Sequence, residues 1–195
     1  LHCKHIAALF TPSVTRSVGP MKDRTVGKVS LEKLRCQDDG PALCLMIGAM
    51  KSGTTSLFDY LSQHPEVAGA SFKEPNFFTP SWGPVRCLDD YLGLWDCQEN
   101  RHRVLLEAST AYTMRPYVTG VPDRIVEFSI MPKFLYVVRD PIKRIESHYN
   151  FMRHLKGFKN RGEHFESMVA YSDYYWQLEP YLAAFPRERF CIVRL

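Results

Sequence analysis

Leu43–Thr55 reads LCLMIGAMKSGTT, and this stretch decides the fold. Leu43–Ala49 is a continuous apolar run, the pattern of a strand covered on both faces. It runs into a Gly/Ser/Thr turn with one lysine, Lys51, at its centre, and the chain turns helical from Ser56. A strand, a tight turn and a helix N-terminus together make an anion cradle. Backbone N–H groups point into the turn, the helix dipole adds partial positive charge, and the lysine supplies a full one. A phosphate is the expected guest.

The spacing departs from the nucleoside-triphosphate loop G-x-x-x-x-G-K-[ST]. Gly48 and Gly53 have the required separation, but Thr54 stands where that loop places its lysine. No Asp-tipped second strand offers a magnesium partner. A cradle that holds phosphate without a metal suits a donor whose transferred group carries less charge than a terminal phosphate, and a sulfuryl group is one. A second motif lies further on. Phe134–Pro141 (FLYVVRDP) is an apolar strand ending directly in Arg139, with Ser147 in the helix that follows. Arginine grips phosphate with two parallel hydrogen bonds, and a strand end holds it rigidly.

These residues resemble a known family. Gly48–Thr55 is similar to the 5′-phosphosulfate loop of sulfotransferases, which use 3′-phosphoadenosine 5′-phosphosulfate (PAPS). His64–Val67 (HPEV) and Lys73–Phe78 (KEPNFF) resemble the Golgi carbohydrate sulfotransferases, especially the heparan and chondroitin branches. The Arg139/Ser147 block resembles the family's 3′-phosphate site. The resemblance runs from Leu43 to Leu195. It implies that Lys51 meets the donor's bridging oxygen and stabilises charge on the leaving phosphate. It also implies that Ser52, Gly53, Thr54, Thr55 and Ser56 hold the 5′-phosphate, that Arg139 and Ser147 hold the 3′-phosphate, and that no metal takes part. Glu74, in a loop after the second strand, is the candidate base, because sulfuryl transfer to a sugar needs a group that removes the hydroxyl proton. Lys73 is placed to touch an acidic substrate.

Leu106–Tyr112 (LEASTAY) departs from the heparan type, whose members carry a lysine where this chain has Ala108. It is more similar to the chondroitin/dermatan N-acetylgalactosamine 4-sulfate 6-O-sulfotransferase branch. The resemblance implies an acidic glycan acceptor and the Golgi lumen, with membrane attachment only through an N-terminal anchor outside this chain. His64, His148 and His154 read as structural or exposed. His102 and His148 stay as alternative bases, since cytosolic sulfotransferases use a histidine. Two rivals stand beside this reading: a nucleotide kinase-like phosphotransferase with an aberrant loop, and a truncated or degenerate nucleotide-binding module without turnover.

Composition bounds the rest. With 195 residues, 45% hydrophobic, the chain is long enough for one core and is globular rather than disordered. A formal charge of +4 is too small to point to nucleic acid, but it suits a basic cleft for a nucleotide or an acidic glycan. Six cysteines show no zinc spacing. Cys44 and Cys191 lie in apolar runs and read as buried thiols, whereas Cys87 and Cys97 flank a loop that a disulfide could close in a secretory compartment. No apolar run reaches the roughly 18 residues of a membrane span.

Residues 1–41 are polar and basic and read as a linker or stem-like lead-in, with 42–195 as the catalytic domain. The chain ends inside a strand and is expected to be incomplete at its C-terminus. Further strands are expected at Val67–Ser71, Val104–Glu107, Phe134–Val138 and Phe190–Leu195. Helices are expected at Ser56–Gln63, Leu88–Leu92 and Asp123–Phe128. Another follows the Asp140–Pro141 cap, with Ile142, Ile145, Tyr149 and Met152 as its stripe. A last one carries Tyr174, Leu178, Tyr181, Leu182 and Phe185. Strands alternating with helices predict an α/β fold: a single P-loop-like domain with a central, mostly parallel sheet flanked by helices. Ligands in such sheets lie beyond the carboxyl ends of the strands, where both motifs fall.

Overall fold

The computed structural model describes residues 29–35, 40–98, 100–154 and 163–195. Most of the polar lead-in, 1–28 and 36–39, lies outside the described residues. Five strands, β1 (Ala42–Gly48), β2 (Val67–Gly69), β3 (Val104–Ala108), β4 (Lys133–Val138) and β5 (Phe190–Arg194), form one sheet in the order β2-β3-β1-β4-β5. Every neighbouring pair is parallel. Helix α1 (Leu31–Arg35) precedes the sheet; parallel pairing requires crossovers, and the remaining helices supply them: α2 (Thr54–Leu61), α3 (Leu88–Leu92), α4 (Val121–Glu127), α5 (Pro141–His154), α6 (Glu163–Ala170) and α7 (Tyr174–Ala184).

Side chains of a strand alternate between faces, and β1 divides its apolar run accordingly. Leu45 and Ile47 pack with Phe134 and Tyr136 of β4, Ile125 of α4, and Leu178 and Tyr181 of α7. Cys44 and Met46 pack on the other face with Leu135, Val137 and the α2 residues Phe58 and Leu61. Leu45, Met46 and Ile47 are fully buried, and each contributes about 1.5–3 kcal/mol by leaving water. Burial on both faces is why the run is continuous rather than alternating. The stripe expected on α7 is present: Leu178, Tyr181 and Phe185 are core residues, with Tyr174 and Leu182 packed beside them.

Several expectations change. Strand β2 ends at Gly69, although Ala70 N–H still donates to Leu106 O at 2.8 Å. Val29 and Leu34, inside the stretch read as lead-in, are buried in the core. Cys87 and Cys97 are not bridged. Cys87 instead caps α3, its sulfur accepting from Asp90 N–H at 3.4 Å. The apolar stripe on α5 is not the buried one. Ile142 is 65% exposed, and the buried residues of this helix are Arg144 and His148. Backbone carbonyls face α5 from the turns it covers, and they require donors rather than apolar groups.

Candidate active site

The carboxyl ends of β1 to β4 all open on one edge, and the residues singled out in sequence follow them directly. Lys51 follows β1, Lys73 and Glu74 follow β2, Ser109 and Thr110 follow β3, and Arg139 follows β4. Parallel pairing is what gathers them, because it points every strand the same way.

The turn after β1 is built to leave donors free. Gly48 has φ +152°, and a Cβ there would lie 2.2 Å from Thr113 Oγ1 and 2.8 Å from Tyr136 Cε2. Lys51 sits in the left-handed region at φ +66° and Gly53 at +79°. Gly53 is the N-cap of α2, with no side-chain cap hydrogen bond. The opening amides of α2 therefore lack an intrahelical or side-chain acceptor. Ser52 is fully buried, and its hydroxyl has no hydrogen-bond partner among the described residues. A buried hydroxyl left unpaired costs about 1–3 kcal/mol, so this atom, beside uncapped amides and a lysine, fits an anion. Thr54 is buried, whereas Thr55 and Ser56 are exposed at the mouth.

Two arginines hold the turn from behind. Arg144, fully buried, donates to Met50 O at 3.2 Å, to Ser172 Oγ at 2.5 Å and to Met168 O. Arg139 donates to Lys51 O at 3.4 Å. With the Met50 carbonyl turned toward Arg144, the Lys51 N–H of the same peptide faces the other way, since a trans peptide points its C=O and N–H in opposite directions. The Lys51 ammonium rests over the Phe151 ring, 4.2 Å from its centroid, a contact worth about 0.5–1 kcal/mol and easily exchanged for an anion. Tyr174 fixes Arg139 by donating to its carbonyl at 2.8 Å and accepting from its N–H at 3.3 Å.

Glu74 lies on the other side of the mouth. Its carboxylate accepts from Thr110 N–H at 2.8 Å and from Thr110 Oγ1 at 3.2 Å. Lys73 Nζ is 3.9 Å from Glu74 Oε1 and donates to Thr55 Oγ1 at 2.9 Å, joining the loop after β2 to the turn after β1. Burial pushes Glu74 above the usual carboxylate range, opposed by the Thr110 hydrogen bonds and by Lys73. Burial pulls the Lys73 ammonium down, opposed by Glu74.

Of the residues expected from sequence, Lys51, Ser52, Gly53, Thr54, Thr55, Glu74 and Arg139 converge here. Ser56 is exposed on the first turn of α2. Ser147 is half-buried on α5, and among the described residues no hydrogen bond links it to Arg139. His148 is buried, stacked on Tyr171 with centroids 5.9 Å apart, and its Nδ1 is 3.4 Å from the Arg144 guanidinium. His102 Nδ1 accepts from Gln98 N–H at 3.0 Å, within its own turn. Sequence reading missed Arg144 and Thr110. A signal for Arg144 existed: it stands one helical turn before His148, a polar pair on one face of α5.

Residues 42–194 match the family described as a sulfotransferase domain. Heparan sulfate glucosamine 3-O-sulfotransferase 5 of Homo sapiens is 30% identical over 86% of this chain and 52% of its own length. Carbohydrate sulfotransferase 15 of Rattus norvegicus is 29% identical over 53% of this chain and 26% of its own length. The membrane-associated sulfotransferase kil1 of Dictyostelium discoideum is 31% identical, covering 58% of this chain and 24% of its length. The chain thus spans between a quarter and about half of these relatives. The crystal structure of a sulfotransferase from Alicyclobacillus acidocaldarius superposes with a TM-score of 0.61 at 28% identity, covering 79% of this chain and 72% of that one. A parallel sheet with a lysine turn after β1, an arginine after β4 and a family match from β1 through β5 lead to one conclusion: the chain belongs to the sulfotransferase family.

Proposed function

We propose that this protein transfers a sulfuryl group from PAPS to a hydroxyl of an acidic glycan, in the first instance a chondroitin or dermatan chain. One observation carries the reading. Lys51, Arg139 and Lys73, from three different strand ends, are linked through one turn, and Glu74 stands beside them. Cations without a resident acidic excess suit a donor bearing several phosphate charges and an acceptor bearing sulfate or carboxylate. The names of the heparan and carbohydrate sulfotransferase relatives support a sugar acceptor.

In this reading Ser52, Gly53, Thr54, Thr55 and Ser56 hold the donor's 5′-phosphate through amides and hydroxyls, and Arg139 with Ser147 holds the 3′-phosphate. The donor supplies an activated sulfur–oxygen bond. Glu74 takes the proton of the acceptor hydroxyl as that oxygen bonds to sulfur. Lys51 stabilises the phosphate oxygen released when the bridging sulfur–oxygen bond breaks, leaving adenosine 3′,5′-bisphosphate. The raised proton affinity of Glu74 favours the transfer, and Thr110 aims its carboxylate. Positioning and charge supply most of the acceleration, as in phosphoryl transfer. Residues 42–195 act as the sulfotransferase domain, with Val29 and Leu34 of the lead-in packed on its core, and the intact protein works in the Golgi lumen as a type II membrane protein.

The test is a panel assay of the full-length protein with sulfur-labelled PAPS against chondroitin, dermatan, heparan and simple sugars. Label in chondroitin or dermatan is expected. Label in heparan alone would overturn the acceptor assignment. Tight binding of adenosine 3′,5′-bisphosphate without transfer to any sugar would favour a binding module.

A further inference from the structure

A fully buried carboxylate, Glu107, is the penultimate residue of β3 and has no place in the chemistry above. Tyr91 OH donates to its Oε2 at 2.7 Å, and Ser109 Oγ donates to its Oε1 at 2.7 Å. The Ser109 oxygen in turn accepts from Asn76 N–H at 3.0 Å. Asn76 Nδ2 donates to Glu74 O at 3.0 Å. A single hydrogen-bonded chain therefore runs from Glu107 through Ser109 and Asn76 to the backbone of Glu74.

The segment at its far end needs holding. Glu74 has φ +59° and Asn76 φ +52°, with Pro75 between them. Left-handed backbone costs a non-glycine residue about 1–2 kcal/mol. Asparagine tolerates it, but glutamate has no such dispensation. A loop in this conformation persists only where its surroundings over-determine it. Glu107 contributes by committing the Ser109 hydroxyl as a donor toward itself, which leaves the oxygen lone pairs of Ser109 for Asn76 N–H. Ser109, Asn76 and Glu107 are all buried, so water does not compete for these bonds.

We propose that Glu107 is a positioning residue that sets the Glu74 loop through Ser109 and Asn76. The inference rests on the reading of Glu74 as the base. The test uses the full-length protein carrying Ser109→Ala, Glu107→Leu or Glu107→Gln, each checked for folding by thermal denaturation. Ser109→Ala and Glu107→Leu are expected to lower kcat about tenfold with the KM for PAPS unchanged, because misplacing a reacting group costs turnover rather than donor binding. Glu107→Gln keeps an amide oxygen for Ser109 and is expected to stay within about threefold of the parent. Hydrogen–deuterium exchange of the peptide around Asn76 should quicken in Ser109→Ala and Glu107→Leu and stay slow in Glu107→Gln. Should Glu107→Leu not fold, Ser109→Ala alone decides. Unchanged exchange in folded Ser109→Ala overturns the brace, and quickened exchange with unchanged kcat overturns its role in turnover. A parent protein that transfers no sulfate, with the exchange pattern as expected, would sink the sulfuryl-transfer reading and spare the brace.

Discussion

In the proposed transfer Glu74 and Lys51 act on opposite ends of the reacting group, and they are expected to fail differently when replaced. Glu74→Gln keeps the shape of the side chain and removes the basic oxygen. Turnover is expected to fall about a hundredfold or more, with affinity for adenosine 3′,5′-bisphosphate unchanged by calorimetry. Lys51→Ala removes a full charge at the centre of the turn. It is expected to weaken adenosine 3′,5′-bisphosphate and to cost roughly a hundredfold in kcat, since charge on the leaving oxygen loses its partner. Equal loss of bisphosphate affinity in both variants would contradict this division of labour. Both residues were legible in the sequence because each sits in a short motif whose local geometry needs its neighbours. Thr110, which aims the Glu74 carboxylate, was not legible. Its contact joins positions 36 residues apart and exists only because β2 and β3 are neighbours.

At the scale of elements, the β1–α2 turn is held by steric fit and by carbonyl capture. Gly48→Ala would push a methyl into Thr113 Oγ1 and the Tyr136 ring, in a backbone region that side chains avoid. A loss of about 2–3 kcal/mol is expected in urea unfolding, the range for overpacking combined with backbone strain. Arg144→Met leaves Met50 O and Ser172 Oγ without the guanidinium donor in a buried site, and leaves Met168 O only the Ser172 hydroxyl. It is expected to cost about 3 kcal/mol and to raise the Kd of adenosine 3′,5′-bisphosphate about tenfold, because the carbonyls that orient the turn are released. Destabilisation with no change in Kd would separate Arg144 from the phosphate loop. The strands and most helices followed from periodicity. Helix α5 followed as well, but its buried face did not, because that face answers to carbonyl groups supplied by other segments rather than to an apolar core.

Across the whole molecule, stability should carry the mark of Glu107. Burial raises its carboxyl from 4.5 to about 7, against hydrogen bonds from Ser109, Tyr91 and Tyr112 that pull it down, while the Glu74 charge pushes it further up. The folded state holds this proton more tightly than the unfolded chain does. The group's contribution is therefore full below about 4.5 and is lost as pH rises through about 7. The stability of the parent relative to Glu107→Gln should fall by about 3 kcal/mol between pH 4.5 and 8 in denaturant titrations. A pH-independent difference would mean that the carboxyl titrates alike in both states.

The sequence alone determined the parallel α/β layer, the lysine turn, the strand-end arginine and the candidate base, because each depends on residues close together along the chain. Only the tertiary structure decided that Arg144 rather than an apolar stripe faces inward on α5. It also decided that Cys87 caps a helix rather than bridging to Cys97, and that a buried glutamate reaches the Glu74 loop. These are pairings of buried polar groups, whose partners are chosen by which strands and turns come to lie side by side, and no local pattern records that choice.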